Sequence, residues 1–545
     1  MALSQRIKDV IDVSGGMFSR RGSLASFWQD CAEQLYPERA DFTTNRHGED
    51  FASGLSDSTA VLFRRDFGNF LGSILRPKGT QWFSAKSRRA DLMDKTEIRE
   101  FFERNTRITR NALYDTRTQF IRANREADHD YVTFGNSVRS LTERSTRDGL
   151  LLRSHHLRDC AWEENGDGIV DVVHRKVDMT ARIMKKRFKE VAREVNEAVT
   201  KEPHKAFKLV HVVMPMDEWA PENKSLKKFP FVSLWIDTDN LFLLEETGSW
   251  DMIYIVSRWH TVSGSPYAYS PCACVAMPDT RTMQRMTETI LEAGEKAVKP
   301  PLIAQREVIQ GGVNLWSGGV TWVDASYDER TGDALRPVQL GGEPTLGVAL
   351  RQDVREALMS AFYLNKLFLP VQGDMTAEEV HRRNQEFLRV SQPIIEPAEP
   401  ECNGLMLEMA FEKLARLEAF GPVTEFPPEI QQFPFFSFTY DNPVEDAAKQ
   451  ATMMAYQTSL QMLQAGQSFD PSLSVNFDIH KAYRDAMTAN GSSAEWLKDE
   501  DEAAEAMQQM QQLQAAQSLI QGAGQAGDAA GKLVNAEVAA RQATG

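Results

Sequence analysis

The chain has 545 residues, more than one hydrophobic core usually supports, so we expect several domains. Hydrophobic residues make up 42% and charged residues 26%, a balance that excludes a largely disordered chain. No apolar run approaches the length of a membrane span, and the N-terminus lacks the uninterrupted apolar stretch of a secretory signal. We therefore expect a protein made and kept in a cytoplasm, with no membrane partner.

The net charge of −15 is unevenly distributed along the chain. Residues 441–545 contain six Lys or Arg against fourteen Asp or Glu, so they carry −8 of that total. Tight binding to nucleic acid requires Lys and Arg to neutralise many phosphates, which an acidic protein is poorly suited to do. We expect any contact with DNA to be loose or transient.

The N-terminal third is predicted to be helical. Apolar residues at helical spacing predict helices over residues 57–76, 96–122 and about 124–139. Asp57 or Ser58 is suited to cap the first of these helices.

A β-rich segment follows in the middle of the chain. The turn sequence Asn165-Gly-Asp-Gly168 lies between β-forming runs and predicts a hairpin. A charged helix over residues 182–197 carries the basic cluster 185–189, which we interpret as a solvated helix face rather than a nucleic-acid site. Further strands are predicted over residues 207–214, 229–236 and 252–256.

Two helices that enclose a β-forming insert are the most informative feature of the organisation. The pattern predicts a helix over residues 279–299, stopped by Pro300 and Pro301. Residues 302–345 are rich in Gly and β-forming residues, and a second helix is predicted over 346–367.

The remainder of the chain is predicted to be mostly helical. After a loop over residues 368–375, Thr376 and Glu379 form a capping box that begins a helix. Asn442 and Pro443 mark another helix start. The other expected elements are helices over residues 405–420, 480–490 and 502–521, a short strand within 426–440, and a flexible tail over 522–545.

One segment resembles a nucleotide-binding motif but departs from its pattern. Gly527-Asp-Ala-Ala-Gly-Lys-Leu533 resembles a phosphate-binding loop, but it is one residue short. Leu533 also stands where a magnesium-binding Ser or Thr belongs. We therefore reject a nucleotide site here and expect no cofactor.

The His and Cys residues do not form a recognisable metal or catalytic motif. His155, His156 and Asp159 lack metal-ligand spacing, so we interpret them as surface polar residues ahead of the hairpin. Cys272 and Cys274 are interpreted as two small core residues, because no second pair accompanies them. Catalytic and metal sites are not expected, which favours a structural or assembly role.

Six segments share a pattern that is typical of one protein family. The segments are Arg21, Trp28, Ala32, Glu33, Tyr36, Pro37 and Phe42; the stretch 72–83 with its Leu-x-Pro-x-x-x-x-Trp-Phe ending; Tyr131-Val-Thr-Phe-Gly-Asn136; the turn 165–168 running into 177–182; Val256-Ser-Arg-Trp259 with Gly264, Tyr267, Ser270 and Pro271; and 375–380 with Arg382 and Glu386. In this order along residues 20–420, they resemble the head-to-tail connector (portal) proteins of short-tailed (podovirus) bacteriophages. The family has a glycine where this chain has Ala268.

The resemblance implies an α+β, mainly α, portal fold that assembles as a ring, expected to be a homododecamer. By analogy the parts of the subunit are a wing (1–278 and 376–440), two stem helices (279–299 and 346–367), a clip (300–345), a tunnel loop (368–375), a crown (441–521) and a flexible tail (522–545).

The resemblance also implies what the ring contacts. Lys366, Gln372 and Asp374, in or beside the tunnel loop, are the candidates for lining the DNA channel. The implied partners are double-stranded DNA, the terminase motor, major capsid and scaffolding proteins, and tail adaptor proteins. The expected location is the portal vertex of the virion, with host cytoplasm during assembly.

Two other classes of protein remain open from the sequence. One is a different virion component, such as a coat or tail-tube protein, which predicts a closed shell or an open tube. The other is a DNA-packaging enzyme, which requires a nucleotide or metal site.

Overall fold

The computed structural model describes most of the chain up to residue 304 and parts of the remainder. It divides into two compact units, residues 1–80 with 111–413 and residues 81–110 with 414–545. The described residues are 3–43, 52–144, 149–219, 221, 224–304, 309, 313, 322, 324, 335–337, 344–367, 389, 392–394, 396–432, 436–440, 443–467, 477–489 and 508–510.

Helices dominate the described residues, and the predicted α+β class, mainly α, is confirmed. The helices are α1 (Leu3–Arg20), α2 (Gly22–Leu35), α3 (Thr59–Leu75), α4 (Thr96–Tyr114), α5 (Phe120–Phe134), α6 (Ala181–Arg187), α7 (Arg193–Lys201), α8 (Pro271–Val298), α9 (Pro344–Ala361), α10 (Leu364–Leu367), α11 (Leu405–Arg416), α12 (Pro428–Gln432), α13 (Pro443–Gln467) and α14 (Ile479–Ala489).

The strands within the described residues form five antiparallel sheets. The larger two have the orders β4-β5-β6-β7-β8 and β3-β2-β9, and the pairs are β1-β14, β10-β11 and β12-β13. The strands are β1 (Phe83–Ser87), β2 (Asn136–Glu143), β3 (Leu150–His155), β4 (Cys160–Glu164), β5 (Val170–Thr180), β6 (Ala206–Pro215), β7 (Phe231–Asp237), β8 (Phe242–Ser249), β9 (Tyr254–Arg258), β10 (His260–Thr261), β11 (Ala268–Tyr269), β12 (Leu302–Ala304), β13 (Leu335–Pro337) and β14 (Phe436–Tyr440).

The five-stranded sheet is buried on both faces because its strands alternate two sets of apolar side chains. On β6, Val210 and Val212 lie on the face of the sheet that α1 covers, and there they share a core with Ile7 and Met17. Leu209 belongs to the other face, where α6 and α7 pack. The sheet is therefore the middle layer of the first unit.

The largest core of the first unit joins α2, α3, α5 and α8 to the three-stranded sheet. Trp28, Phe67, Tyr131 and Trp259 are all buried in it. Burial of an aromatic side chain of this size contributes about 2 kcal/mol or more, so these rings dominate the packing of the body.

The second unit has an aromatic core of its own. Strands β1 and β14 pair antiparallel, which places Phe83 and Phe438 in contact, with 6.0 Å between ring centroids. Phe101 of α4 contacts Phe426 with 4.9 Å between centroids. Lys95 and Glu429 add an exposed ion pair of 2.6 Å.

Several predicted elements are confirmed at their ends. Ser58 is the N-cap of α3, but its side chain makes no capping hydrogen bond; instead, the amide of Thr59 donates to Asp57 Oδ1 over 2.7 Å. The hairpin between β4 and β5 is present, with Gly168 at φ 76°. Helix α13 begins at Pro443 as predicted.

Other boundaries were wrong. Helix α4 ends at Tyr114 instead of 122, and Gln119 then adopts a positive φ of 59° before α5 begins. Helix α5 ends at Phe134, and residues 136–143 form strand β2 instead of helix. The predicted charged helix over 182–197 is two short helices, α6 and α7.

A pH-dependent loss of stability follows from one buried histidine. Burial lowers the pKa of His174, on the α1-covered face of the sheet, to about 4. In the unfolded chain this histidine binds a proton near pH 6.5. The contribution of neutral His174 to the free energy of unfolding is therefore complete at pH 7 and is lost as the pH falls towards 4.

We predict that His174→Gln reduces the loss of unfolding free energy between pH 7 and 5 by about 2 kcal/mol relative to the wild type. Urea midpoints measured at each pH provide the test. The exposed His260→Gln is the control, and it is expected to leave the pH dependence unchanged. Equal pH dependence for His174→Gln and the wild type would contradict the assignment.

Candidate channel helices and their anchorage

The predicted helix–β insert–helix arrangement is present as an antiparallel helix pair. Helices α8 and α9 pack together, and a Cβ built on Gly347 would lie 3.1 Å from Ile290 Cγ1. Between them, β12 pairs antiparallel with β13. Leu358 at the end of α9 is fully buried in the main core. The pair is therefore continuous with the body at one end.

Helix α8 begins at Pro271, earlier than the predicted residue 279. Ser270 caps it: its hydroxyl accepts from the Ala273 amide over 3.1 Å and donates to the Val132 carbonyl over 2.5 Å. Pro278, the residue directly before the predicted helix, lies inside α8. The first two turns are packed in the core, which offsets the hydrogen bond that a proline cannot donate.

Gly135 is required by close contact between two backbone segments at this helix start. Its φ is 73°, and a Cβ there would lie 2.1 Å from the Tyr269 carbonyl carbon. The side chain of Asn136 accepts from the Ala268 amide over 3.0 Å and donates to the Ala268 carbonyl over 2.7 Å. The segment Tyr131–Asn136, singled out by the family resemblance, therefore fixes the residues that enter α8.

Aromatic residues of three resemblance segments meet at the same place. Tyr131 stacks on Trp259, with 5.2 Å between centroids and 12° between planes. Trp28 contacts the rings of Phe134 and Tyr267 at 6.4 and 6.1 Å. The sequence pattern is explained by this packing around the start of α8.

The chain beyond the loop returns to the body through buried hydrogen bonds of Arg139. This fully buried guanidinium donates to Cys402 O over 2.8 Å, Ser257 Oγ over 3.0 Å and Asn124 Oδ1 over 2.5 Å. Residues Glu399–Gly404 form a π-helix at this point, immediately before α11.

Three further cations fix the returning segment. Arg76 donates to Asn403 over 2.8 Å and pairs with Asp128. Arg258 pairs with Glu401 at 2.6 Å. Burial raises the pKa of the Asp128 carboxyl, and the Arg76 guanidinium beside it acts in the opposite direction. Lys413 completes the set by pairing with Asp251 at 2.9 Å.

The channel candidates from the sequence are only partly described. Lys366 lies in α10, and only its backbone is described. Gln372 and Asp374 lie outside the described residues, as do the phosphate-loop lookalike at 527–533 and most of the capped helix after Thr376. These candidates therefore stay predictions.

Both histidines of the pair are half-buried rather than exposed, so the interpretation as surface polar residues was wrong. His155 is half-buried and hydrogen-bonds to Ser140 Oγ at 2.8 Å, whereas His156 lies 2.6 Å from an Asp41 oxygen. The turn before the hairpin is covered by packed elements, which periodicity alone does not show.

The cysteine pair and the basic cluster had different outcomes. Cys272 is buried as expected, but Cys274 is exposed. Lys185, Lys186 and Lys189 are exposed on or directly after α6, so the solvated face is confirmed for these lysines, whereas Arg187 of the same cluster lies over the Trp235 ring. Among the described residues no cluster of His, Cys, Asp or Glu is suited to hold a metal ion, and no helix there is long and apolar enough to span a membrane.

The residues of the resemblance segments pack together and fix helices α8 and α9 to the β-rich body. This role is structural, as in a protein of an assembly. Residues 8–497 match the sequence profile of the family described as Bacteriophage head to tail connecting protein. The chain belongs to this family, as its sequence segments predicted.

Two curated relatives agree with the family assignment. The chain is 21% identical over 481 residues to the portal protein of Salmonella phage epsilon15, covering 85% of this chain and 84% of the relative. It is also 21% identical over 431 residues to the probable portal protein of Bordetella phage BPP-1, covering 77% and 75%.

We predict that Gly135→Ala destabilises the first unit by about 2 kcal/mol or more. The added Cβ overlaps the Tyr269 backbone, and alanine is strained at a φ of 73°. Urea unfolding followed by tryptophan fluorescence measures the loss. Gly16→Ala, which has open space within helix α1, is expected to be neutral or to stabilise slightly. Equal stability of both variants would contradict the account of the junction.

We predict that Asp128→Asn destabilises the body by about 3 kcal/mol, because it leaves the buried Arg76 guanidinium without its counter-charge. Asp66→Asn removes the carboxylate of the exposed Arg65 pair and is expected to cost about 0.5 kcal/mol or less. Urea midpoints compare the two. A loss at Asp128 no larger than at Asp66 would show that the buried pair does not fix the returning segment.

Proposed function

We propose that this chain is the subunit of a ring-shaped portal that conducts double-stranded DNA between phage head and tail. Membership of the head-to-tail connecting family, matched over residues 8–497, is the observation that carries the proposal. The proposed ring is a homododecamer at the capsid vertex, used for genome packaging, tail attachment and genome ejection. The subunit itself acts without catalysis, because the packaging motor supplies the energy.

The proposed division of labour follows the order of the chain. Residues 279–299 and 346–367 form the stem, 300–345 the clip, 368–375 the tunnel loop and 441–521 the crown. Residues 1–278 and 376–440 form the wing, and 522–545 are a flexible tail. The clip is proposed to receive the terminase motor and later the tail adaptor proteins, whereas capsid and scaffolding proteins contact the wing.

Exposed apolar side chains on the antiparallel helix pair support assembly of like subunits. Leu291 and Val298 of α8 are 58% and 81% exposed, and Val348 and Leu350 of α9 are 46% and 48% exposed. Burying about 100 Å² of apolar surface stabilises an assembly by about 2.5 kcal/mol, so repeating this contact around a closed ring is strongly favourable.

The acidic balance of the chain supports a conduit that releases DNA easily. A net charge of −15 disfavours lasting binding to phosphates, and negative charge lining a channel repels them. Lys366 would offer intermittent contact, with Gln372 and Asp374 as its neighbours in the channel. DNA would then slide past the subunits without being held.

We expect negative-stain electron microscopy of the purified full-length chain to show rings with a central hole and about twelve-fold symmetry. Leu291→Glu is expected to abolish most rings, since it places a charge where helix pairs meet. Ile169→Glu changes an equally exposed residue on the β4–β5 turn and is expected to assemble normally. Closed shells or long tubes would instead indicate a coat or tail-tube protein, and equal assembly of both variants would remove the helix pair from the interface.

A further inference from the structure

Three arginines from different elements converge at the edge between the two main sheets. Arg153 lies on β3, Arg175 on β5 and Arg187 at the end of α6. Arg153 is the cross-strand partner of Ser140, whose Oγ lies 2.8 Å from His155 Nε2, and Arg175 Nη1 lies 3.2 Å from the same nitrogen. Arg175 is also the cross-strand partner of His211, which stacks on Trp235 beneath Arg187, so the three arginines lie in one cluster. We call these three residues the arginine cluster.

The arginine cluster carries positive charge without a matching set of carboxylates. Within the described part of the chain, no Asp or Glu oxygen forms an ion pair with any of the three guanidiniums. Glu245, the exposed cross-strand partner of Trp235, is the one carboxylate among the described residues that acts on Arg187. Burial lowers the pKa of Arg187, Glu245 raises it, and Arg175 and Arg153 lower it. Three guanidiniums beside one carboxylate leave an excess of positive charge that an anion would neutralise.

Two of the three arginines, Arg175 and Arg187, are held in place before any ligand arrives. Arg175 Nη1 lies 3.2 Å from His155 Nε2, and Ser140 Oγ lies 2.8 Å from the same nitrogen. The Arg187 guanidinium lies 4.1 Å from the ring centroid of Trp235. Fixing these long side chains in advance reduces the entropy lost on binding.

The support beneath the cluster is itself rigid. Trp235 stacks on His211, with 4.2 Å between centroids and 16° between planes. His211 is buried and hydrogen-bonds to Tyr254 Oη at 2.5 Å and Ser233 Oγ at 2.8 Å. Arg153 and Arg187 nevertheless remain exposed, so a ligand from solvent can reach them.

We propose that the arginine cluster is a binding site for a phosphate group. Planar guanidiniums donate paired hydrogen bonds that match phosphate oxygens, and a dianionic phosphate compensates more of the local charge than a single carboxylate does. The phosphate can come from inorganic phosphate in solution or from the backbone of DNA. This site is separate from the proposed channel residues, so it does not depend on the ring proposal.

Isothermal titration of the full-length protein with inorganic phosphate, in a phosphate-free buffer of low ionic strength at pH 7.5, tests the proposal. Saturable binding of one phosphate per subunit is expected. Arg187→Gln and Arg153→Gln are each expected to weaken it at least tenfold. If a short DNA duplex competes with inorganic phosphate, the site binds the phosphates of nucleic acid. If the duplex does not compete, the site binds the free ion.

Lys189→Gln is the matched control, because it removes one exposed positive charge directly after α6 without touching the cluster. It is expected to bind phosphate as the wild type does. Thermal unfolding without phosphate confirms that each variant is folded, and Arg153→Gln, exposed and outside the Trp235 stack, guards against loss of structure. Absence of saturable binding, or an equal loss in Lys189→Gln and Arg187→Gln, would overturn the proposal.

Discussion

The close approach of two backbone segments at Gly135 is the constraint on which the rest of the first unit depends. Gly135 ends α5 with a positive φ and at the same time contacts Tyr269. Any side chain at this position would separate α5 from the residues that begin α8. Because Asn136 and Ser270 add hydrogen bonds across the same contact, the direction in which α8 leaves the body is fixed by backbone geometry.

Both helices of the pair are consequently tied to one body, at the same end of the pair. The start of α8 is fixed by the Ser270 cap, and the end of α9 is fixed by burial of Leu358 and Phe362. The returning segment is then held by Arg139 and Arg76, whose buried hydrogen bonds are costly to leave unmade. The two helices of the pair and the returning segment are therefore fixed to one body by buried contacts.

Local signals in the sequence predicted the parts of the fold that local chemistry controls. Asp57 and Pro443 mark helix starts that the structure confirms, and the turn at 165–168 forms the expected hairpin. The family segments that include Trp28, Tyr131 and Trp259 mark residues that pack together in the main core. The sequence was least informative where tertiary contacts override local preference: Pro278 lies inside a helix because the surrounding turns are buried, and β2 follows α5 directly.

In the candidate site, too, the sequence predicted the local structure but not the contacts between distant residues. Helix periodicity was sufficient to find the α8–α9 pair, but no pattern in the sequence indicated that Arg139 would be fully buried or that His155 would support Arg175. Such contacts join residues far apart in the chain, and one sequence contains no record of them. The channel candidates Lys366, Gln372 and Asp374 still rest on the resemblance.

A cryo-electron microscopy reconstruction of the purified oligomer, at a resolution that separates helices, tests the central claim most directly. The account predicts a closed ring in which one α8–α9 pair from each subunit surrounds the central hole, with the β-rich bodies outside. A ring with the bodies around the hole and the helix pairs at the periphery would contradict it, as would a shell or an open tube.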